Sequence, residues 1–360
     1  DKLLYDQGDF NEDNFFIFKK MLELEKKNYA RREKSSMNSN LFYRAILNTP
    51  NRFDIFCYTL GLRENWRELP HGLNLGQTWN ILWTYSFPTI DFNSLFVWQR
   101  VNHFINNKTL SRKDLLKKAI SKIAMRSKKL KAYYDIMPLT FILSREYMEF
   151  VDEFKRCKKD NKDNKWIVKP IGKSRGNGIF LANDISEVPN IDSHLVQKYI
   201  TNPLLLDGYK FDMRIYVLVT SFNPLEAFIY KDGFARMSNY LFSLAGEERE
   251  IHLTNAAIQN KIALNSNEHT KVFGGSKISL EMLKNKLSKM NIEFNSIWEQ
   301  IKDIVLKSLI GCELDIPNSP SSFELFGYDI IIDRNLKCWL LEINTSPSLE
   351  RNCVLDDHIK

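Results

Sequence analysis

An α/β (α+β) fold in three consecutive parts is what this sequence predicts, and three observations predict it. Between about residues 91 and 200, short apolar strands such as "KWIVKP", "GIFLAN" and "HLVQKYI" alternate with helical stretches, the pattern of a sheet covered by helices. Beyond them, "KFDMRIYVLVTS" and "LEAFIYKDGFARMS" read as longer strands, followed by an amphipathic helix from about Leu280 to Leu309. The chain then reaches "FGYDIIIDRNLKCWLLEINTSPS". Its two apolar runs, Tyr328 to Ile332 and Cys338 to Ile343, flank a turn-like Asp333-Arg334-Asn335 and form an antiparallel hairpin with largely buried strands.

In chain order, residues 1–40 are polar and charge-rich around one short apolar-periodic segment, Phe15 to Leu24, and form an N-terminal extension without visible chemistry. Residues 41–90 turn aromatic and end in "TWNILWTYSFP", a small N-terminal domain closed at a Pro-marked boundary, with Trp79 and Trp83 as core packing. Residues 91–205 make a central domain and 206–360 a C-terminal domain built on the final hairpin. "KKDNKDNK" (158–165) is a surface loop, and no internal repeat is visible. At 360 residues, 44% hydrophobic and 26% charged, the chain has the composition of a globular protein of two or three domains.

Five scattered cysteines (57, 157, 312, 338, 353) include no Cys-x-x-Cys pair, so neither a zinc site nor a disulfide framework is indicated and a reducing compartment fits. No apolar stretch approaches the roughly 18 residues of a membrane span. The sequence starts without Met and shows no signal-peptide pattern, so a cytosolic chain trimmed at its N-terminus is expected.

The formal charge is +7, and the excess is concentrated: Arg112 to Lys131 holds nine basic residues against Asp114 alone. Ser111 is the expected N-cap of a helix here, with Leu115, Leu116, Ile120 and Ile123 at near-helical spacing. The run is then either one solvated face of an amphipathic helix or a surface for an acidic partner. Nucleic acid is one acidic partner, although no zinc-finger or RNP1-like string appears, and an acidic protein surface is expected at least as strongly.

"KPIGKSRGNGIF" (169–180) is a Gly-rich basic loop between two strands. It is not a P-loop, because position 167 is Ile where a Gly is needed, and it is not a dinucleotide fingerprint, because position 181 is Leu. What remains suits either a hairpin flap closing over phosphates or a plain β-turn with solvated lysines. The closing hairpin is more specific. Its turn sets Asp329 opposite Glu342, with Asn344 two residues on and facing the same way. Two carboxylates so close are costly to bury without a cation between them, and an all-oxygen set suits Mg²⁺; structural hydrogen bonding of buried acids is the alternative. Lys210, Asp212 and Arg214 alternate along an otherwise apolar strand and share one face, away from Phe211, Met213 and Ile215. His252, in "HLTN", reads as part of a turn and is given no catalytic role.

The ordered set "KWIVKP…GIFL", "VQKYI", "KFDMRIYVLVTS", "YKDGFARMS", "HLTNAAIQ", "FGYDIIID" and "WLLEINTSPSL" resembles the tubulin–tyrosine-ligase-like family of ATP-grasp amino-acid ligases over about residues 75–350. "VNHFINNKTLSRKDLLKK" and the flap look most like its polyglutamylase branch. The resemblance implies an ATP-grasp fold with ATP between the central and C-terminal domains. Lys169, Arg175 and Gly176 would lie at the phosphates, and Gln197, Lys198, Tyr199 and Ile200 would form the adenine hinge, largely through backbone. Lys210, Asp212, Thr254 and Asn255 would complete the nucleotide site. Asp329, Glu342 and Asn344 match the family's Mg²⁺ ligands. Arg214, Arg236 and Lys277 match positions that hold the incoming amino acid or the acceptor carboxylate. Two positions depart from the family pattern. The flap has Asn177 where many relatives carry Lys, with Arg175 or Lys173 nearby as compensation, and Lys277 is followed by Ile278 instead of Trp.

The function so implied is tubulin polyglutamylation: ATP-dependent ligation of free glutamate to Glu side chains of acidic tubulin C-terminal tails through an acylphosphate. Microtubules are the partner, accessory subunits are further candidates, and the location is cytoplasmic and cytoskeletal, including basal body, cilium or flagellum. The alternatives are a glycyl ligase of the same family and a non-catalytic ATP- or microtubule-binding subunit.

Overall fold

The computed structural model describes residues 41–46, 55–69, 78–143, 145–160, 162–172, 176–190, 192–246, 249–255, 258–259, 277–351 and 354–359. The expected extension at 1–40, and with it Lys173 and Arg175 of the flap, lies outside the described residues.

The first part is a parallel sheet of four strands, β1 (Leu41–Ile46), β2 (Trp66–Glu68), β3 (Ile81–Thr84) and β4 (Arg100–Val101), in the order β2-β1-β3-β4, with helix α1 (Ile55–Gly61) between the first two. Trp79 is buried with Leu69, Leu82 and Val101, and Trp83 stacks on Phe56 at 4.5 Å, so both indoles pack as expected. The sheet's last strand lies beyond residue 90. It is tied to the far end of the chain through Glu324, which accepts from the Phe104 amide (3.0 Å) and the Asn107 amide group (2.7 Å) and meets His103 Nδ1 at 3.1 Å.

Helices α2 (Lys108–Ser111), α3 (Lys113–Ala124) and α4 (Lys128–Tyr133) follow. Here the expected N-cap is corrected. Ser111 ends α2, and the extended residue before α3 is Arg112 (φ −81°, ψ 122°), whose guanidinium forks onto Asp114 at 3.1 and 2.9 Å. The basic run is also two helices, not one, because Ser127 caps α4 by accepting from the Leu130 amide. Leu116, Ala119 and Ile120 are buried.

The central sheet is antiparallel, order β5-β8-β6-β7, from β5 (Thr140–Ile142), β6 (Trp166–Pro170), β7 (Phe180–Ala182) and β8 (His194–Lys198). Helix α5 (Tyr147–Lys159) covers it, with Phe150 and Phe154 packed on Trp166, Val168 and Val196.

The C-terminal sheet runs β12-β11-β10-β13-β14, built from β10 (Tyr209–Phe222), β11 (Leu225–Leu241), β12 (Lys277–Ser279), β13 (Glu324–Ile332) and β14 (Cys338–Thr345), with the short β9 (Leu205–Leu206) beside β10. Helix α6 (Arg249–His252) leads toward β12, and α7 (Leu280–Lys289) and α8 (Phe294–Cys312) follow it. The single helix expected over 280–309 is therefore two. Asn291 adopts φ 58°, a conformation Asn tolerates better than most residues, and the chain turns there. Ile297, Ile301, Ile304 and Leu309 of α8 pack with Phe211, Met213, Ile215, Phe326, Tyr328 and Ile330 on one face of the sheet. The other face carries the polar residues, beside a smaller apolar cluster of Tyr216, Phe234 and Ile359. Helix α9 (Val354–Ile359) closes the described chain. Among the described residues, no helix is long and apolar enough to cross a membrane.

Candidate active site

The polar face of the C-terminal sheet follows directly from strand alternation and register. Asp212 pairs with Arg236 across β10 and β11, Arg214 with Asp329 across β10 and β13, and Asp329 with Glu342 across the hairpin, as its turn predicts. Asn344 sits opposite Gly327, one alternation further along the same face. The turn itself has Leu336 at φ 62° and is held by Asp333, whose carboxylate accepts from the amides of Asn335 (2.9 Å) and Lys337 (3.0 Å).

The charges on this face neutralise one another. Arg236 grips Asp212 with two bonds of 2.7 Å and reaches Asp329 Oδ2 at 2.8 Å. Arg214 holds Asp329 from the other side at 2.5 and 3.1 Å. Burial alone would push the Asp329 carboxyl up, but the two guanidiniums outweigh it and hold it well below the usual range. Thr254 donates to Asp212 at 2.7 Å, and Asn344 Nδ2 lies 3.4 Å from Asp329 Oδ2. The hairpin carboxylates thus have protein cations beside them, which the sequence reading did not anticipate. Glu342 is met by Lys113 at 2.9 Å, with the two side chains 24% and 13% exposed. Lys113 is the residue that reading missed. It stands at the head of the basic run, and the sequence pattern does not distinguish it from the exposed lysines that follow.

Opposite the hairpin, the central sheet supplies Lys169, whose ammonium donates to Gln197 Oε1 at 2.6 Å; Gln197 in turn donates to Thr140 Oγ1 at 2.8 Å. The Lys198 side chain turns away, 4.7 Å over the Trp166 ring, and the amides of Lys198 and Tyr199 already donate to Leu139 and Lys165 carbonyls. Lys210 donates to the Tyr199 hydroxyl at 3.0 Å and to the His252 carbonyl at 2.7 Å. Burial lowers the Lys210 ammonium to about 7 and that of Lys169 to about 8. Gly176 is pinned by Arg249 through its carbonyl at 2.6 Å and adopts φ 75°, which favours glycine; a Cβ there would also stand 2.5 Å from Ile258 Cδ1, so that side chain would have to shift.

One cleft between the two sheets collects Lys169, Gly176, Gln197, Lys198, Tyr199, Ile200, Lys210, Asp212, Arg236, Thr254, Asn255, Asp329 and Glu342, together with Lys113. Ile167 and Ile179 on one side and Ile331 and Leu341 on the other give it apolar walls. Arg214 and Asn344 adjoin it through Asp329 without lining it. Lys277 stands apart. It is next to Arg236 across β11 and β12, but its ammonium is held by both oxygens of the buried Asp356 at 3.0 Å each and lies 5.0 Å over the Phe234 ring. Arg175 is outside the described residues. Apolar walls, the ammoniums of Lys113, Lys169 and Lys210, and the three carboxylates of Asp212, Asp329 and Glu342 form a cleft that can sandwich a flat ring and hold a polyanion with a hard cation.

The sequence model of the tubulin-tyrosine ligase family matches residues 91–360. The chain is 36% identical over 304 residues to probable tubulin polyglutamylase TTLL2 of Homo sapiens, an overlap of 83% of this chain and 51% of the relative. It is 36% identical over 320 residues to probable alpha-tubulin polyglutamylase Ttll1 of Tetrahymena thermophila, covering 78% and 75%. With tubulin monoglutamylase TTLL4 of Mus musculus it shares 35% over 294 residues, 78% of this chain and 24% of that one. The chain spans about half the length of the first of these relatives. On a family match across most of its length and a mixed α/β architecture with the cleft between its central and C-terminal sheets, this chain belongs to the tubulin-tyrosine ligase family, with that family's ATP-grasp fold.

Proposed function

We propose that the chain is an ATP-dependent protein–glutamate ligase that extends Glu side chains in the acidic tails of tubulin. The observation that carries the reading is the cleft itself: Lys113, Lys169 and Lys210 face Asp329 and Glu342 between apolar walls, and relatives named tubulin polyglutamylases match most of the chain. A carboxylate is a poor electrophile, so the acceptor must first take the γ-phosphoryl group of ATP, releasing ADP. The amine of free glutamate then attacks the acylphosphate carbon, loses a proton and expels phosphate, leaving an isopeptide bond. In this scheme Ile167, Ile179, Ile331 and Leu341 hold the adenine, Ile200 provides the hinge, and the lysines offset charge on the phosphoryl oxygens. Arg236, which lines the cleft, is the candidate for the amino acid or acceptor carboxylate, with Arg214 behind it holding Asp329 in place; Lys277 would serve a carboxylate only by exchanging its pairing with Asp356.

Two carboxylates and an amide on one hairpin face are a donor set that fits Mg²⁺, which completes its shell from water and phosphate oxygens. Among the described residues no cluster of three or more His, Cys, Asp or Glu side chains is placed to hold a metal ion. Asp329, Glu342 and Asn344 would hold the ion, and the ion would supply Lewis-acid stabilisation of the transferring phosphoryl group.

The test is incorporation of labelled glutamate into microtubules with ATP and Mg²⁺, with glycine run in parallel. Glutamate labelling supports the proposal; preferential glycine labelling reassigns the substrate; ATP binding without ligation of either amino acid rejects the ligase reading.

Two further results are expected. In the free protein, a lysine with a depressed value is neutral between that value and the ordinary ~10.4, where the unfolded chain is still protonated. Stability therefore rises with pH from about 7 upward, while ATP binding, which needs the ammonium, weakens by about tenfold per pH unit for each lysine that must be reprotonated. Calorimetric titrations across this range, in buffers of different ionisation enthalpy, should show proton uptake above pH 8; a flat affinity profile would separate Lys169 and Lys210 from the nucleotide.

The second concerns the basic helices. Lys113 and Lys117 are taken by Glu342 and Glu146, but Lys118, Lys122, Arg126, Lys128, Lys129 and Lys131 are exposed. Replacing Lys118, Lys128, Lys129 and Lys131 by Ala should weaken cosedimentation with microtubules at low salt, and the difference should shrink as salt screens it. Unchanged low-salt binding would remove this face from tail recognition.

A further inference from the structure

His252 is only 2% exposed and belongs to the cleft wall, yet the ligation scheme gives it nothing to do. Its Nε2 lies 2.9 Å from the carbonyl oxygen of Gly246. A carbonyl has no proton to give, so Nε2 carries the hydrogen. Its Nδ1 lies 2.9 Å from the Tyr199 hydroxyl, and the same hydroxyl lies 3.0 Å from Lys210 Nζ, which in the protonated form that binds ATP can only donate. If Nδ1 were also protonated, the phenol oxygen would accept from both sides and its own hydrogen would be buried without an acceptor. The consistent arrangement runs one way: Lys210 donates to Tyr199, Tyr199 to Nδ1 of a neutral ring, and Nε2 to Gly246. Lys210 also donates to the His252 main-chain carbonyl at 2.7 Å and stands 4.6 Å from the Tyr199 ring centre. Two of its three N–H bonds are thereby aimed, and the third is left for a ligand in the cleft.

We propose that His252 is a positioning residue for the nucleotide cation: by fixing the direction of the Tyr199 hydroxyl it orients Lys210, and so sets nucleotide affinity without touching the nucleotide. The proposal rests on the reading of this cleft as the ATP site. It explains why a buried histidine is placed with its two nitrogens in different partnerships, which a residue serving only to fill the core does not need. The full cost of desolvating Lys210, whose burial already lowers its ammonium to about 7, is offset in part by these two oxygen acceptors.

Equilibrium ATP binding by calorimetry tests it, with the melting temperature of each variant measured alongside. In His252→Asn the amide oxygen can take the place of Nδ1, whereas in His252→Gln the amide replaces Nε2 and the acceptor for Tyr199 is lost. Tyr199→Phe and His252→Gln should each weaken ATP binding about tenfold, as expected for a hydrogen bond to a charged group. The Tyr199→Phe/His252→Gln double variant should also lose about tenfold, because both changes break one series, and His252→Asn should stay within about threefold of wild type. Losses that multiply to about a hundredfold, or equal losses for Asn and Gln, would overturn the relay. So would unaltered affinity in every variant. Wild-type protein that binds no ATP at millimolar concentration would instead overturn the nucleotide reading itself.

Discussion

Glu342→Gln removes ligation, with turnover expected to fall by at least about 10³-fold, and leaves the protein folded. The substitution keeps the shape of the side chain and deletes its charge. On the proposed reading that charge is one of two that bind Mg²⁺, and a neutral amide is a much weaker ligand for a hard cation. The fold depends on it far less. The Glu342 carboxylate is 24% exposed, its partner Lys113 keeps an oxygen to donate to, and a partly solvated pair of this kind contributes about 1 kcal/mol or less. Labelled-glutamate incorporation and thermal melting of the same samples check both halves. Activity within tenfold of wild type would take Glu342 out of the metal site; a large drop in melting temperature would make its role structural.

The contrast between what sequence and structure say about this site has a physical basis in the range of the interactions. Alternation along a strand and the length of a hairpin turn are local, so the shared face of Lys210, Asp212 and Arg214 and the pairing of Asp329 with Glu342 could both be read before any coordinates. The apolar pattern of β10 and β13 likewise announced which face would be covered by helices. Partnerships between distant segments carry no such local mark. Nothing near Lys113 signals that it reaches Glu342, and nothing near Glu324 signals that it binds the His103–Asn107 turn more than two hundred residues away. The same limit explains Lys277. Its position beside Arg236 follows from strand order, whereas its capture by Asp356 depends on where α9 packs. Helix ends failed for a different reason. Ser111 and Arg112 are both acceptable before a helix, and the choice was made by the packing of α2 and α3, which local capping preference does not encode.

Asp329→Ala is expected to lose about 3–5 kcal/mol of stability as well as activity, where Glu342→Gln loses activity alone. Asp329 is 1% exposed and is the shared anion of two guanidiniums, Arg214 and Arg236. Removing it leaves Arg214, only 12% exposed, without its counter-charge and Arg236 with Asp212 alone. The sign with pH follows from the same contacts. The folded-state value of Asp329 is held below the ordinary ~3.9, so its contribution is complete above that value and is lost only as pH falls toward the folded one. The defect of the variant should therefore be constant from about pH 5 to 8 and shrink in acid, as wild type surrenders the same interaction. Urea unfolding of wild type, Asp329→Ala and Arg214→Leu/Asp329→Leu decides the cause. If the unpaired guanidinium is responsible, the double substitution recovers part of the loss although it removes one more side chain; if Asp329 acts through packing alone, the double variant is the least stable of the three.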